Sequence, residues 1–360
     1  MSDRSKPQRI ELASGYSIPR LLNGLWQLAE GHSLSRRDRA TDLGLLLEAF
    51  ELGYTTFDCA DIYLGVEELL GRLRATLAER GVADRLQVHT KYVPDRDALA
   101  NLSRTAVEAA IDRSLARLGV ERLDLVQFHW WEFAVPGHVE TAVWLDELRR
   151  AGKIHHLGVT NYDAGRLELL LDAGVRVTSN QVQLSVLDRR PLGSMSELCQ
   201  RRGIGLICYG ALAGGLLTER YLDSERPRPP FENRSLPKYD LIVDEFGGWP
   251  AHQELLSALA RIADAHDATA ADVAVRWVLD QPAVAAVVLG TRSACHLASR
   301  ARAEKLELQE AERRELADLV AGRGPGGEIY GLERVRNGPH ARIMKTSLNR
   351  ARQPWEPAAE

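Results

Sequence analysis

Nowhere in this 360-residue chain is there a run of about 18 uncharged apolar residues, so no segment reads as a transmembrane helix. The opening MSDRSKPQRIEL has no apolar core of signal-peptide length. The expectation is a cytoplasmic protein with no membrane partner. Basic charge is not in excess either: Lys plus Arg number 46 against 50 Asp plus Glu, for a formal net charge of -4. No field is left to hold a phosphate backbone, so nucleic acid is not an expected partner. The four cysteines (Cys59, Cys199, Cys208 and Cys295) are scattered and never form C-x-x-C, which tells against a zinc knuckle or a disulfide scaffold. They read as reduced packing residues. Also missing is the G-x-G-x-x-G turn of a doubly wound nucleotide-binding sheet, since Gly24 stands in its apolar run without the other glycines. A metal-dependent barrel hydrolase would need His89, His129 and His155 or His156 as ligands. No H-x-H follows the first run and no H-E-x-x-H occurs, so no metal is expected.

What the chain does have is alternation. Hydrophobic residues make up 45% of it, enough for a large core. Short β-prone runs fall at 21–26, 54–58, 86–91, 123–129, 154–160, 177–182, 204–209 and 284–290. Between them lie stretches such as 42–52, 66–77, 105–118, 139–150, 166–173 and 194–202, with apolar residues at three- and four-residue steps. Eight strands with interleaved helices and no dividing Pro/Gly/Ser linker predict an α/β fold, a (β/α)8 TIM barrel in a single domain over residues 1–322. A front segment (9–19) precedes the barrel, and a charged tail (323–360) is expected to pack on or near its mouth. The Pro-rich segment 226–237 is read as a long loop over the mouth, because prolines lack the donor a helix needs.

In such barrels the chemistry sits at the carboxyl ends of the strands. Here those ends carry Asp58 leading to Tyr63, then Lys91, His129, Thr160-Asn161, Asn180-Gln181 and Tyr209. Taken singly, a terminal His is ordinary hydrogen-bonded packing, a Lys after a strand is solvated, and a loop Tyr is half-buried. Together, an acid, a phenol, an amine and an imidazole from three successive strands point to one pocket. A buried ammonium needs a partner, and Asp58 on the neighbouring strand supplies it. The pair is expected to pull the Tyr63 phenol below its ordinary pKa and make it a proton donor near neutral pH. Asp61 is not needed in this scheme and reads as a solvated loop residue or helix cap.

At this point the sequence resembles the aldo-keto reductases. DCADIYLGVEELLG (58–71) is similar to the family pattern D-x-A-x-x-Y-G-x-S-E-x-x-L-G with unchanged spacing, departing at Leu64 and Val66. HTK (89–91), LDLVQFH (123–129), GVTNY (158–162), NQVQ (180–183) and YGALAGGLL (209–217) continue the resemblance in order. It implies reversible reduction of a small-molecule carbonyl substrate by a nicotinamide cofactor lying across the mouth. Tyr63 would be the general acid, Lys91 and Asp58 would tune it, and His129 would orient the carbonyl as a hydrogen-bond donor. On the cofactor side, Thr160, Asn161 and Gln181 would bind the carboxamide and Tyr209 would stack on the nicotinamide ring, with Gly24, Trp26, Gly210 and Leu212 lining its path. LGTRSACH (289–296) looks like the phosphate loop, so Gly290, Thr291, Arg292 and His296 would hold the far end. Arg292 suits a 2′-phosphate, which favours NADP over NAD. Ser299-Arg300 departs from the family's adenine-holding pair.

Trp26, Trp130 and Trp131, with Phe133, are candidates for an apolar substrate wall, or for simple loop packing. They name no substrate, and the oligomeric state is open. The alternative to an enzyme is a nicotinamide-binding, redox-sensing subunit with slow or no turnover.

Overall fold

The computed structural model describes residues 6–32, 38–293 and 295–347; the side chains of Cys295, His296 and Ala298 lie outside what is described, and with them the phosphate-loop role expected of His296. Eight parallel strands close into a barrel. In chain order, after a front hairpin of β1 (Arg9–Ala13) and β2 (Tyr16–Pro19), they are β3 (Leu21–Gly24), β4 (Thr56–Asp58), β5 (Gln87–Tyr92), β6 (Leu123–His129), β7 (Ile154–Thr160), β8 (Ser179–Gln183), β9 (Gly205–Tyr209) and β10 (Val284–Gly290). Each of the eight runs read from the sequence is one barrel strand. The first ends two residues early, because Leu25 leaves the ladder and Trp26 opens a short helical turn, Trp26–Leu28.

The strands read as apolar runs because both faces are covered, one by the barrel interior and one by helices. Six helices fall on the six expected stretches: Arg39–Glu51, Val66–Glu79, Arg104–Leu118, His138–Arg150, Ala164–Asp172 and Ser194–Arg202. Asp38, Ser103 and Asp163 accept backbone N–H groups at the starts of the first, third and fifth, which is where short polar side chains satisfy otherwise orphaned donors. Three more helices, Leu236–Phe246, Gly248–Ala265 and Ala270–Leu279, fill the long connection from β9 to β10. The Pro-rich segment is irregular as expected up to Ser235, but the loop ends two residues sooner than read. Pro237 sits in the first turn of the helix Leu236–Phe246, where its missing N–H would have had no partner anyway.

The front hairpin plugs the amino end. Leu12, Tyr16 and Ile18 pack with Leu22, Leu125, Ile207, Ala285 and Ala286 in one buried cluster. Tyr16 Oη lies 3.1 Å from His89 Nε2, and its ring packs on His156 with centroids 4.5 Å apart. These histidines therefore sit at the floor. His89 pairs with Leu125, and His129 is four residues further along the same strand, about 13 Å away at the usual strand rise. The ligand set of a barrel hydrolase does not converge. Cys59, Cys199 and Cys208 are buried and free, and no described helix is long and apolar enough to cross a membrane.

Burial makes the floor sensitive to acid. His89 is pushed from 6.5 down to about 3 by burial and then by Lys91 and His156; His156 is pushed down to about 4, again mainly by burial. Both bind a proton more weakly folded than unfolded. Stability is therefore complete above about pH 6.5 and is lost as pH falls toward the folded values, by about 2 kcal/mol for His89 alone between pH 6.5 and pH 5. Urea midpoints measured across this range should fall steeply for the native chain and less steeply for His89→Gln, which keeps a polar partner for Tyr16 but takes up no proton. Equal slopes would contradict the assignment.

Candidate active site

β4 is only three residues long, and Asp58, its last residue, pairs in register with Gly24 on one side and His89 on the other. Its carboxylate turns into the barrel. Lys91 Nζ lies 2.7 Å from Asp58 Oδ2 and donates a second bond of 2.8 Å to the Cys59 carbonyl. Asp58 Oδ1 accepts from Gln127 Nε2 at 3.0 Å and from Gln181 Nε2 at 2.6 Å, and Gln181 also donates to Gln127 Oε1 at 2.9 Å. Four strands thus each send one side chain to a buried polar centre. Gln127 was missed from the sequence as a site residue. The signal was there: a glutamine inside an otherwise apolar strand, two residues before His129 and so on the same face. Gly158 makes room for it. The two are register partners, and a Cβ at 158 would lie 2.5 Å from Ser179 Oγ and 3.5 Å from Gln127 Cγ.

Tyr63 stands on the loop above this centre. The Lys91 ammonium lies 5.2 Å from its ring centroid, and the Trp26 ring packs against the Tyr63 ring with centroids 4.8 Å apart. The loop is tied down by Asp61, which is buried and not solvated: both carboxylate oxygens accept the Val93 N–H at 3.2 Å. Buried Glu67 adds a bond from Thr90 Oγ1 and an ion pair with Arg117, which also donates to the Asp61 carbonyl. The departure from the family pattern at Leu64 is harmless here, because the left-handed residue that starts the helix is Gly65 (φ 75°).

The expected tuning of Tyr63 is corrected in its balance. Lys91 does favour the phenolate, but burial outweighs it and pushes the phenol up to about 12. Lys91 itself, though burial pulls it down, is held above its ordinary value by Asp58 and Tyr63. In the free protein the site therefore holds a protonated phenol beside a charged ammonium.

His129 faces the same mouth, 3% exposed. Its Nδ1 lies 3.2 Å from the Thr160 carbonyl, which can only accept, so Nδ1 carries the proton. Burial and then Arg334 push the ring down to about 3, so it is neutral. Nε2 is left as a buried acceptor with no partner among the described residues. The expectation that His129 donates to a carbonyl is not met in this tautomer.

The remaining candidates separate. Asn161 Oδ1 accepts from Tyr209 Oη at 2.8 Å, and its Nδ2 makes no hydrogen bond among the described residues. Thr160 Oγ1 is turned to the Gln181 carbonyl. Lys238 Nζ lies 5.0 Å from the Tyr209 ring centroid, so a flat ring can stack on Tyr209 only on the opposite face or by displacing Lys238. Leu212 is half-buried against the core. Gly24 and Gly210 offer no open floor. A Cβ would lie 2.7 Å from Val288 at the first and 2.6 Å from Tyr239 Oη at the second. Thr291 is buried with its hydroxyl committed to Asn23 and Arg300, and is not free for phosphate. Arg300 is buried in the wall, donating to Asn23 and Thr291 and lying over Tyr54. Arg292 is exposed on the loop after β10. Gly290 is covered by the Gln27 amide, which occupies the space a Cβ would take and whose Oε1 is buried with no partner among the described residues.

Of the wall candidates, Trp131 packs edge-on against His129 with centroids 4.4 Å apart, and its indole N–H donates to the Pro94 carbonyl. Trp130 points the other way. It is fully buried, with its N–H shared between the Glu132 and Val135 carbonyls, so it holds the loop and does not line the mouth. Phe133 packs on Tyr162 and under Arg334. Residues from the tail close the roof. Tyr330 meets His129 edge-on at 5.6 Å, and Arg334 donates to the carbonyls of Trp130, Trp131 and Asn161. Glu333 is buried with Arg190, Asp188 and Lys238 in a four-charge network.

Comparison with known proteins agrees with this architecture. The family model described as Aldo/keto reductase family matches residues 20–321. L-glyceraldehyde 3-phosphate reductase of Escherichia coli K12 is 30% identical over 314 residues, covering 82% of this chain and 84% of that protein. Flagellar radial spoke protein 5 of Chlamydomonas reinhardtii is 31% identical over 257 residues, 61% of this chain; the chain spans about half (49%) of that protein's length. Among solved structures, the thermostable aldo-keto reductase Tm1743 in complex with the inhibitor epalrestat superposes with a TM-score of 0.69 at 26% identity, covering 87% of this chain and 99% of that one.

The tautomer of His129 can be read directly. Nitrogen-15 NMR of histidine-labelled protein should show His129 protonated at Nδ1 and neutral from pH 8 down to pH 5. A protonated Nε2, or an imidazolium within that range, would overturn the assignment.

Proposed function

The chain belongs to the aldo/keto reductase family and is an oxidoreductase of that type; from this premise we propose that it reduces an aldehyde or ketone to an alcohol with NADPH, Tyr63 acting as general acid. The observation that carries the reading is the Tyr63 phenol held above a buried Lys91–Asp58 pair at the mouth of the barrel. A nicotinamide cofactor, when bound, supplies the hydride.

The residues present fit such a cofactor. Asn161 Nδ2 is an unused donor beside Tyr209, suited to a carboxamide oxygen. Gln27 Oε1, buried against Gly290 with no partner among the described residues, marks a place where a polar group is wanted. Arg292, exposed on the loop after β10, supports NADP over NAD, because a guanidinium matches the geometry of a 2′-phosphate.

The chemistry assigned to this chain is proton delivery. A carbonyl oxygen that gains negative charge is stabilised by a donor already aimed at it. Tyr63 is protonated throughout the neutral range, since burial holds its pKa at about 12. Once the proton has left, the phenolate is stabilised by Lys91, a favourable term that exists only as the reaction proceeds. Lys91 can play that part because Asp58, the Cys59 carbonyl and the two glutamines keep the pair fixed and satisfied. His129 and Trp131 supply the opposite wall.

A second reading, a nicotinamide-binding regulatory subunit with slow or no turnover, is favoured by one observation: Tyr330 of the tail packs directly on His129. A panel of aldehydes, ketones and sugars with NADPH and with NADH separates the two. Turnover supports the reductase; tight cofactor binding with no oxidation across the panel supports the sensor.

For the reductase, Tyr63→Phe should lower kcat by roughly a hundredfold to ten-thousandfold with little change in NADPH affinity by fluorescence titration. Lys91→Met should be comparably harmful, since it leaves the Asp58 carboxylate buried without a counter-ion. Reduction by the native protein should be flat from pH 6 to pH 9, because the acid form of Tyr63 is already saturated. Alcohol oxidation needs the phenolate and should climb with pH over the same range. Native-like reduction in Tyr63→Phe would rule Tyr63 out as the acid.

A further inference from the structure

Trp26 has a second neighbour besides Tyr63. The Arg234 guanidinium carbon lies 5.2 Å from its ring centroid, so two ring contacts connect this cation to the phenol. The segment is fixed on both sides of Arg234. Its backbone N–H donates to the His32 carbonyl at 3.2 Å, and Ser235 Oγ lies 3.2 Å from His32 Nε2, while the His32 ring packs edge-on against Trp26 at 5.1 Å. Asn233 Oδ1 accepts the N–H groups of Ser235 and Leu236 and so anchors the start of the next helix. The arginine is therefore held at the lip of the mouth by a structured loop.

No carboxylate among the described residues pairs with its charge. Several other arginines around this rim are engaged: Arg334 with four backbone carbonyls, Arg190 with Asp188 and Glu333, Arg220 with Glu232, Arg226 with Asp240 and Asp244; Arg292, by contrast, is exposed to solvent. Arg234 makes no side-chain hydrogen bond or ion pair among the described residues; only burial acts on it, pulling its proton affinity below the ordinary guanidinium value. The buried carboxylates of the mouth are already paired with other cations, Asp58 with Lys91 and Glu333 with Arg190 and Lys238. A half-buried guanidinium with free donors and no counter-ion has given up part of its hydration without recovering it, a cost relieved when an anion arrives. Its planar fork matches two oxygens of a carboxylate or phosphate.

We propose that Arg234 is an anion subsite beside Tyr63, binding the carboxylate or phosphate of a carbonyl substrate whose reacting carbon lies a few bonds away at the phenol. This inference rests on the reductase reading and adds to it the substrate class: anionic aldehydes or ketones. The pyrophosphate of the dinucleotide offers the same chemistry, and the test separates the two sources.

The test compares 4-carboxybenzaldehyde with its methyl ester, and NADPH binding by fluorescence, in the native protein, Arg234→Met and Arg234→Lys. Native protein should favour the acid, and Arg234→Met should lower the acid-to-ester ratio of kcat/KM by about tenfold to a hundredfold, mostly through KM, as expected for a lost charge-assisted bond. Arg234→Lys should restore part of the ratio. An equal ratio in native protein and Arg234→Met overturns the proposal. A weakened NADPH affinity with an unchanged ratio assigns Arg234 to the cofactor and likewise overturns it. Should no carbonyl be turned over, the reductase reading fails by itself, and calorimetry of 4-(hydroxymethyl)benzoate on NADP-saturated protein still tests the subsite. Binding lost in Arg234→Met supports it, and no binding to native protein overturns it.

Discussion

A lysine and an aspartate buried side by side would ordinarily be a poor bargain, because stripping water from two charges costs about as much as their attraction returns unless the remaining valences are filled. At Asp58 and Lys91 they are filled. Both carboxylate oxygens are engaged, one by the ammonium and one by two amides, and the ammonium has the Cys59 carbonyl as a further acceptor. That arrangement is available only inside a closed barrel, where side chains from β4, β5, β6 and β8 reach a common axis. The pair fixes the position of the cation that touches Tyr63. Everything proposed for the mouth depends on it.

Tyr63 shows why the direction of a pKa shift and the identity of its causes are separate matters. The ammonium stabilises the phenolate, yet the apolar surroundings that bring the ring close to Lys91 also remove its water, and the second effect is larger. The result suits a donor more than an unusually acidic phenol would. A group that stays protonated until a stronger demand appears gives up its proton only when charge builds on the acceptor, and the cation's contribution is then expressed in the transition state and not in the resting protein.

The strand ends were legible because barrel topology sends the last inward residue of each strand to one rim, and the run lengths located Asp58, Lys91 and His129. Register and side-chain direction were not. Trp130 and Trp131 are neighbours in sequence and chemically identical, but they face opposite ways, so composition could not tell the buried loop anchor from the ring beside His129. Thr291 read as a phosphate donor because it follows a glycine at the start of a helix, and Arg300 read only as a departure from the family's adenine-holding pair. Asn23, invisible as a partner from 268 and 277 residues away, turns both inward. Asp61 read as solvated for the same reason: its partner is the backbone N–H of Val93 on the next loop. The tautomer of His129 follows from its pairing with Thr160 in the β6–β7 ladder, a contact that no spacing rule contains.

Charge compensation around the mouth is the feature that most distinguishes one residue from another. Two neutral networks lie within it, the Asp58–Lys91 pair below and the four-charge cluster of Asp188, Arg190, Glu333 and Lys238 that docks the tail above. Each is closed, since its members satisfy one another and leave nothing to attract a ligand by charge. Between them lie a buried, unsatisfied acceptor at His129, an unused donor at Asn161, and a half-buried guanidinium at Arg234 that no carboxylate among the described residues answers. A surface selected only for stability would pair that cation or replace it, because a long charged side chain over an indole gains about as much from packing without its charge. Its place beside the proton donor, with no carboxylate among the described residues to answer it, is the asymmetry from which the preference for an anionic substrate is argued.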